Sequence, residues 1–344
     1  MRMKFENALI IGKFMPVHTG HLAMIETATR LASKTHVLLG ALEGEPIPGP
    51  LRYSWLKEAV ASLRAVETHY TEEDLPTAAE SSREVSRVWA AWLKKRFPAI
   101  DLIVSSETYG EYLAEYMGVA HFAFDPERAS VPVSATMIRD APWRHWDRIP
   151  LPARPYFAKT VCVYGPESTG KTVLSEKLAA RLGASWVPEM ARLYIGERQP
   201  RKEDIDIVAA LHAKEIAAKR RLAERILIVD SDLVTTRIYA DVLFGYRPEF
   251  PAWIQEENRF DLHLLFDVDT PWIADVQRET GHMRSRMFDR FKAELDGRNL
   301  PYRIIRGSWE EREDACMEAI EARWPGMALG GVREATSRPF SHSL

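Results

Sequence analysis

The sequence predicts an α/β protein built as two parallel-sheet domains, on three observations. Apolar runs of strand length alternate with stretches of helical periodicity, which is the pattern of parallel sheets covered by helices. That alternation breaks once, between residues 140 and 155, and then restarts. Each half opens on an apolar strand that runs directly into a phosphate-binding motif, GKFMPVHTGH (residues 12–21) and GPESTGKT (residues 165–172). A chain of 344 residues suits two cores better than one.

Composition narrows the class. With 46% hydrophobic residues and no repeat or low-complexity tract, the chain reads as globular. A net charge of -3 without a basic run gives no sign of a general nucleic-acid binder. The apolar stretch near the amino terminus is too short for a signal peptide or membrane span, so no membrane insertion is expected. Cys162 and Cys316 show no metal or disulfide spacing, and a reducing cytoplasm is the expected home.

In chain order, ALII (8–11) reads as a strand, HLAMIETATRLAS (21–33) as a helix and HVLLGAL (36–42) as a second strand. SREVSRVWAAWLKKRF (82–97) has helical periodicity, with Val85, Val88, Trp89, Trp92 and Leu93 forming one stripe. DLIVSS (101–106) is a strand, residues 109–117 a helix, and VSATMIRD (133–140) a short helix capped by Ser134 and Thr136. DAPWRHWDRIPLPARP (140–155) holds no period. The domains are therefore set at 1–145 and 158–325, with a linker at 146–157. In the second domain KTVCVY (159–164), RILIVD (225–230), DLHLLF (261–266) and YRIIRG (302–307) are strands, and residues 171–182 form the helix after the second motif. The Gly-, Ser- and Pro-containing stretch 326–344 reads as a poorly ordered tail.

The first motif leaves a strand and enters a helix, the place where open α/β sheets bind ligands. His18 and His21, three residues apart across the helix start, converge on one anion, helped by backbone N–H groups and the helix dipole. Gly12 and Gly20 admit a close ligand, and Lys13 and Phe14 complete this set. A second piece is the Ser134–Thr136 cap, whose helix start suits a phosphate, with Arg139 one turn on to neutralise it. Trp89 either packs in the core or stacks on a flat substrate ring.

The second motif is a P-loop. Gly165, Glu167, Ser168, Thr169 and Gly170 wrap phosphates with backbone N–H groups, Lys171 reaches the β- and γ-phosphates, and Thr172 offers a hydroxyl to Mg²⁺. Asp230 and Asp232 end a strand beside it, placed to organise Mg²⁺ or accept a proton, although Asp232 also reads as a helix N-cap. Glu189 and Arg192 are candidates for the acceptor site. Asp267, Asp269, Trp272 and Asp275 follow a further strand, and Arg278, Arg284 and Arg286 suit a lid over the transferred phosphoryl group.

GKFMPVHTGH with VSATMIRD resembles the two-part signature of nucleotidylyltransferases. Together with GPESTGKT, VPEMARLY, VDSDLVTTRIY and DTPWIAD, in that order, the chain resembles the NadR-type bifunctional enzymes over almost its whole length. The resemblance implies an N-terminal Rossmann-like nucleotidylyltransferase and a C-terminal P-loop kinase. It further implies phosphorylation of nicotinamide riboside to nicotinamide mononucleotide (NMN), then adenylylation of NMN to NAD, with ATP as co-substrate and Mg²⁺. Glu189, Arg192, Trp272 and Asp275 would hold the substrate; the sequence leaves a homo-oligomer open. The family's longest members add an amino-terminal helix-turn-helix; here the first strand comes at once, and direct DNA binding is not expected. The rival readings are a sensor of NAD or ATP whose first domain is catalytically weak, and a coenzyme A synthase-like fusion.

Overall fold

The computed structural model describes residues 4–76, 82–222, 225–269 and 284–327. The chain divides after Arg154 into two compact units. The first runs β1 (Phe5–Gly12), α1 (Thr19–Leu31), β2 (Ala32–Gly40), α2 (Gly49–Ala59), β3 (Val66–Thr71), α3 (Arg83–Arg96), β4 (Leu102–Ser105), α4 (Tyr109–Met117), β5 (Ala120–Ala123) and α5 (Ala135–Asp140). Its sheet is parallel throughout, in the order β3-β2-β1-β4-β5. The direction of strand order reverses at β1, so the loop leaving that strand opens onto the crevice at the carboxyl edge. The apolar run Ala8–Ile10 is wholly buried because β1 is central and covered on both faces.

The stretch expected to link the domains is instead a series of short helical turns, Pro142–Arg148, Leu151–Ala153 and α6 (Arg154–Phe157). Trp146, Ile149 and Ala153 are buried, and the turn Leu151–Ala153 packs on α2. Most of the expected linker therefore belongs to the first unit. Its prolines start each turn where a missing N–H costs nothing, which also erases the helical period from the sequence.

The helix stripe also needs correcting. The inward face of α3 is Ser86, Ala90 and Leu93, while Val88 is exposed. Trp89 and Trp92 lie at the margin, half-buried against the cluster formed by Leu9, Leu38, Ile103 and Leu113.

The second unit continues with β6 (Lys159–Tyr164), α7 (Lys171–Leu182), β7 (Ser185–Val187), α8 (Met190–Ile195), α9 (Asp204–Arg221), β8 (Ile226–Asp230), α10 (Leu233–Phe244), α11 (Ala252–Glu257), β9 (Leu262–Phe266), α12 (Arg284–Gly297), β10 (Tyr302–Ile305) and α13 (Trp309–Arg323). Its parallel order is β10-β9-β6-β8-β7, with β6, the strand that feeds the P-loop, in the middle. Tyr164, Leu227, Leu265 and Phe291 anchor its main core. Among the described residues no helix is long and apolar enough to cross a membrane.

Candidate functional site

In the first unit the carboxyl edge of β1 lines a cavity of about 630 Å³. Gly12, Lys13, Phe14, His18, Gly20 and His21 reach it from the first motif, and Ser134, Thr136 and Arg139 from the second. The expected residues are thus brought to one place, although the two motifs lie at opposite ends of this unit's sequence.

His18 is the N-cap of α1 and forms a reciprocal pair with His21. The His21 N–H donates to His18 Nδ1 at 3.4 Å, and the His18 N–H donates to His21 Nδ1 at 3.3 Å. Their rings stack with centroids 3.6 Å apart. Because both Nδ1 atoms accept hydrogen bonds, each neutral ring must carry its proton on Nε2. The helix cap therefore selects the tautomer that offers an N–H donor to a ligand.

Burial, then the Arg128 guanidinium, lowers His18 to about 4; burial, then His18 and Arg128, hold His21 well below its usual value. At neutral pH both are uncharged donors, and the positive field at the site comes from Arg128, Arg139, Lys13 and the helix amino terminus. A base whose folded pKa lies below its ordinary 6.5 takes up protons preferentially in the unfolded chain. Stability from these rings is complete above pH 6.5 and is lost as the pH falls toward 4. Denaturant unfolding of the first unit across that window is expected to show falling midpoints. In His18→Asn, which keeps a cap acceptor but does not titrate, the slope should be shallower; an equal slope would contradict the shifted pKa.

The other expected residues take bracing positions as well. Lys13 Nζ pairs with Glu45 at 2.9 Å, and the fully buried Arg52 bonds both Glu45 and the Lys13 carbonyl. Burial alone would raise the Glu45 carboxyl, but Lys13, the Leu42 N–H and Arg52 outweigh it and hold the group below the ordinary range. Arg139 Nη1 donates to the Met15 carbonyl at 2.5 Å and Nη2 to Thr136 Oγ1 at 3.1 Å, so this arginine ties the two motifs together. Ser134 Oγ accepts the Met137 N–H at 3.2 Å as the N-cap of α5. Trp89 lines the cavity, donates through Nε1 to the Pro76 carbonyl at 3.0 Å, and lies against Gly40.

Arg128, Glu45 and Arg52 are absent from the sequence reading. Arg128 sits in the loop after β5 with φ 54°, and its only cue was the turn-forming Asp-Pro before it. Arg52 lies on α2, which begins at a Gly-Pro step and carries too weak a period to be recognised.

In the second unit the P-loop joins β6 to α7. Gly165 has φ 139° with a Cβ position 2.8 Å from the Phe266 carbonyl oxygen, and Gly170 has φ 84° beneath the Trp309 indole. No other residue type fits either position without displacement. Ser168 holds φ 57°. Thr169 Oγ1 and Lys171 Nζ donate to the Pro166 carbonyl at 2.9 and 2.8 Å, so the lysine lies within the loop it serves. Glu167 belongs to the same turn.

Asp230 is fully buried at the end of β8. Burial, then Glu189, raises it to about 6, whereas Lys171, the Thr172 hydroxyl and Arg192 pull it down. Those five groups share one field, which places the acceptor candidates Glu189 and Arg192 beside the loop; the two are 3.8 Å apart. Asp230 Oδ2 is buried with no hydrogen-bond partner among the described residues, an oxygen suited to a cation.

Asp232 does not join this group. It is the N-cap of α10, its Oδ1 accepting the Thr235 N–H at 2.7 Å and the Thr235 hydroxyl at 2.9 Å, and its other oxygen faces His263. The capping alternative read from the sequence is thus present at Asp232, and Ser231 (φ 71°) lies between the two carboxylates.

Arg284, at the start of α12, donates Nη2 to the Ser168 carbonyl at 3.3 Å, and Arg286 is exposed one half-turn on. Trp272, Asp275 and Arg278 lie outside the described residues. The residue that sequence reasoning missed is Arg312 on α13, 1% exposed. It donates to the carbonyls of Thr169 (2.8 Å), Gly307 (2.9 Å) and Asp267 (3.1 Å) and pairs with Asp269. One guanidinium thus fixes the P-loop to the end of β9. Arg312→Met is expected to lower the stability of the second unit by about 3 kcal/mol, because buried acceptors are left unpartnered. Its unfolding midpoint checks this, and an unchanged midpoint would contradict the bracing role.

Comparison with known proteins matches this geometry. A family model described as an AAA domain matches residues 160–312. The chain is 29% identical to the trifunctional NAD biosynthesis/regulator protein NadR of Escherichia coli (strain K12), over 93% of this chain and 83% of that protein. It is 28% identical to the NadR of Salmonella typhimurium, over 91% of this chain and 82% of that protein. A nicotinamide-nucleotide adenylyltransferase from Aeropyrum pernix is 30% identical over 115 residues, 33% of this chain and 65% of that one. Among solved structures, a NadR protein in complex with NR superposes with a TM-score of 0.72 at 21% identity, covering 94% of this chain and 98% of that one. A NadR protein in complex with NAD and AMP-PNP gives 0.73, again at 21% identity and 94% of this chain, with 97% of that one. The chain is thus similar to NadR proteins over nearly its whole length, and each unit has the fold of the solved NadR structures.

Proposed function

We propose that this NadR homologue is a bifunctional enzyme of NAD salvage. The second unit phosphorylates nicotinamide riboside to NMN with ATP, and the first adenylylates NMN with a further ATP to give NAD and pyrophosphate. One observation supports the reading above the others: a complete P-loop and the His18–His21 pair lining a cavity coexist in a chain similar to NadR proteins over 93% of its length.

In the kinase step the riboside hydroxyl attacks the γ-phosphorus, the bond to the β–γ bridging oxygen breaks, and ADP leaves. Lys171 balances charge on the β- and γ-phosphates. Asp230 takes the hydroxyl proton in this reading, supported by burial and the Glu189 charge, which raise it to about 6. Glu189, Arg192, Trp272 and Asp275 would hold the riboside, and Arg284 and Arg286 would cover the phosphoryl group, a role supported for Arg284 by its bond to the Ser168 carbonyl. Thr172 and Asp230 would hold the Mg²⁺ that arrives with ATP, which neutralises phosphate charge, and the orphaned Asp230 Oδ2 fits that role.

In the adenylylation step a phosphate oxygen of NMN attacks the α-phosphorus, the bond to the α–β bridging oxygen breaks, and pyrophosphate leaves. The protein forms no covalent bond. His18 and His21 donate their Nε2 protons to α-phosphate oxygens, while Lys13, Arg139 and the Ser134–Thr136 helix start flank the departing pyrophosphate. Trp89 is placed to stack on the nicotinamide or adenine ring.

Mass spectrometry of the protein with Mg-ATP tests the reading, with nicotinamide riboside in one tube and NMN in another. NAD in both tubes supports it. NMN accumulating in the first, with NAD in neither, would leave a kinase joined to a sensing module. No product in either directs the search to phosphopantetheine and dephospho-coenzyme A.

A further inference from the structure

We infer that the first unit carries a second, separate site, a zinc-class metal site formed by His36, Glu67 and His69 on the adjacent strands β2 and β3. His36 lies directly opposite Glu67 in the parallel register, and His69 follows two residues on, so all three side chains leave the same face of the sheet. None of them lines the nucleotide cavity.

The geometry matches a small divalent ion. A tetrahedral zinc with bonds of about 2.0–2.1 Å sets its ligand atoms about 3.4 Å apart. Here His36 Nδ1 and His69 Nε2 are 3.0 Å apart, and the Glu67 oxygens lie 3.8 Å from the first and 4.0 Å from the second. The strand ladder holds these positions in advance, so an ion would be met by a formed triangle. Two imidazoles and one carboxylate favour zinc and its neighbours over magnesium or calcium, which prefer all-oxygen sites. Solvent supplies the fourth position, because Glu67 is half-exposed.

Phe97 packs on both rings, with ring centroids 5.8 and 4.9 Å away, forming an apolar floor. In the absence of an ion the pair must share a proton between nitrogens 3.0 Å apart, and Lys34 occupies Glu67 as an exposed ion pair. Lys34 is the competitor an arriving ion displaces, and surface pairs of this kind are weak.

β3 is the edge strand of its sheet and carries mostly polar residues. An ion clasping it to β2 would secure that edge by binding only the folded state. The chelator-treated protein, titrated with Zn²⁺ by calorimetry and with Co²⁺ by absorbance, tests this directly. The expected result is one site in the micromolar range or tighter that raises the melting temperature of the first unit. That site should be lost in His36→Ala and His69→Ala, weakened at least tenfold in Glu67→Gln, strengthened in Lys34→Met and retained in His18→Asn. The cobalt spectrum should lack a thiolate band, because the buried Cys162–Asp232–His263 group is the competing location. Wild-type binding in His36→Ala and His69→Ala, a thiolate band, or no binding below millimolar metal would each overturn the inference. Glu67→Gln and Lys34→Met alter half-exposed side chains, so they keep the test decisive if a histidine variant fails to fold.

Discussion

Lys171→Met is expected to abolish phosphorylation of nicotinamide riboside, with a fall in kcat of at least 10²–10³-fold, on the order found when one charge-stabilising donor is removed. Adenylylation of supplied NMN should remain within twofold of the wild type. The reason is local: Lys171 is buried within the P-loop, one hydrogen bond from Pro166, and is the group in that loop able to follow charge onto the γ-phosphate. Methionine preserves the apolar stem, so the unfolding midpoint should move little. Separate kinetic assays of the two half-reactions check the result, and loss of both activities in a folded variant would falsify independent sites.

His18→Asn should show the opposite pattern. Asparagine can still accept the His21 N–H and cap α1, but it lacks the Nε2–H that faces the cavity. Adenylylation is expected to fall about 10²–10³-fold with the helix start intact, and riboside phosphorylation should be unchanged. His18→Ala removes the cap as well, at about 1 kcal/mol of stability. The difference between the two variants separates tautomer-selecting cap from donor. If alanine and asparagine were equally stable and equally active, the cap argument would fail.

The central strands were legible because they are apolar along their length. Ala8–Ile10, Leu227–Val229 and Leu264–Phe266 are buried on both sides, and burial on both sides makes an uninterrupted apolar run. The edge strands β3 and β5 escape that signal, whereas the edge strand β10 is apolar enough to be read. VETHYT in β3 and AHFA in β5 pair on one side only and expose much of their surface, so their sequences look like loop. α5 was legible through its Ser134 cap, whereas α2 lacks a side-chain cap and buries an arginine where a period would show an apolar residue.

The same division holds at the sites. Residues assigned to phosphate by local spacing, His18 with His21 and Gly165 through Thr172, declare themselves because the motif is contiguous. Residues that hold those motifs from a distance do not. Arg312 lies far along the chain from the P-loop it braces and belongs to no motif at all, and Arg128, in the loop after β5, reaches the cavity of the two histidines only in the fold. Asp232 shows that a motif does not fix which way a carboxylate points: it caps α10, two residues from Asp230 and across the positive φ of Ser231.

Tracing the phosphorus atoms of ATP tests the division of labour most directly. The protein would be incubated with nicotinamide riboside, Mg²⁺ and ATP labelled either at the γ-phosphate or at the α-phosphate, and the label located within the NAD formed. Two sites acting in sequence require the γ-label on the nicotinamide-side phosphate and the α-label on the adenosine-side phosphate. NAD carrying neither label in that arrangement, or label on the wrong half, would contradict the assignment of the P-loop to the γ-phosphate and of the histidine site to the α-phosphate.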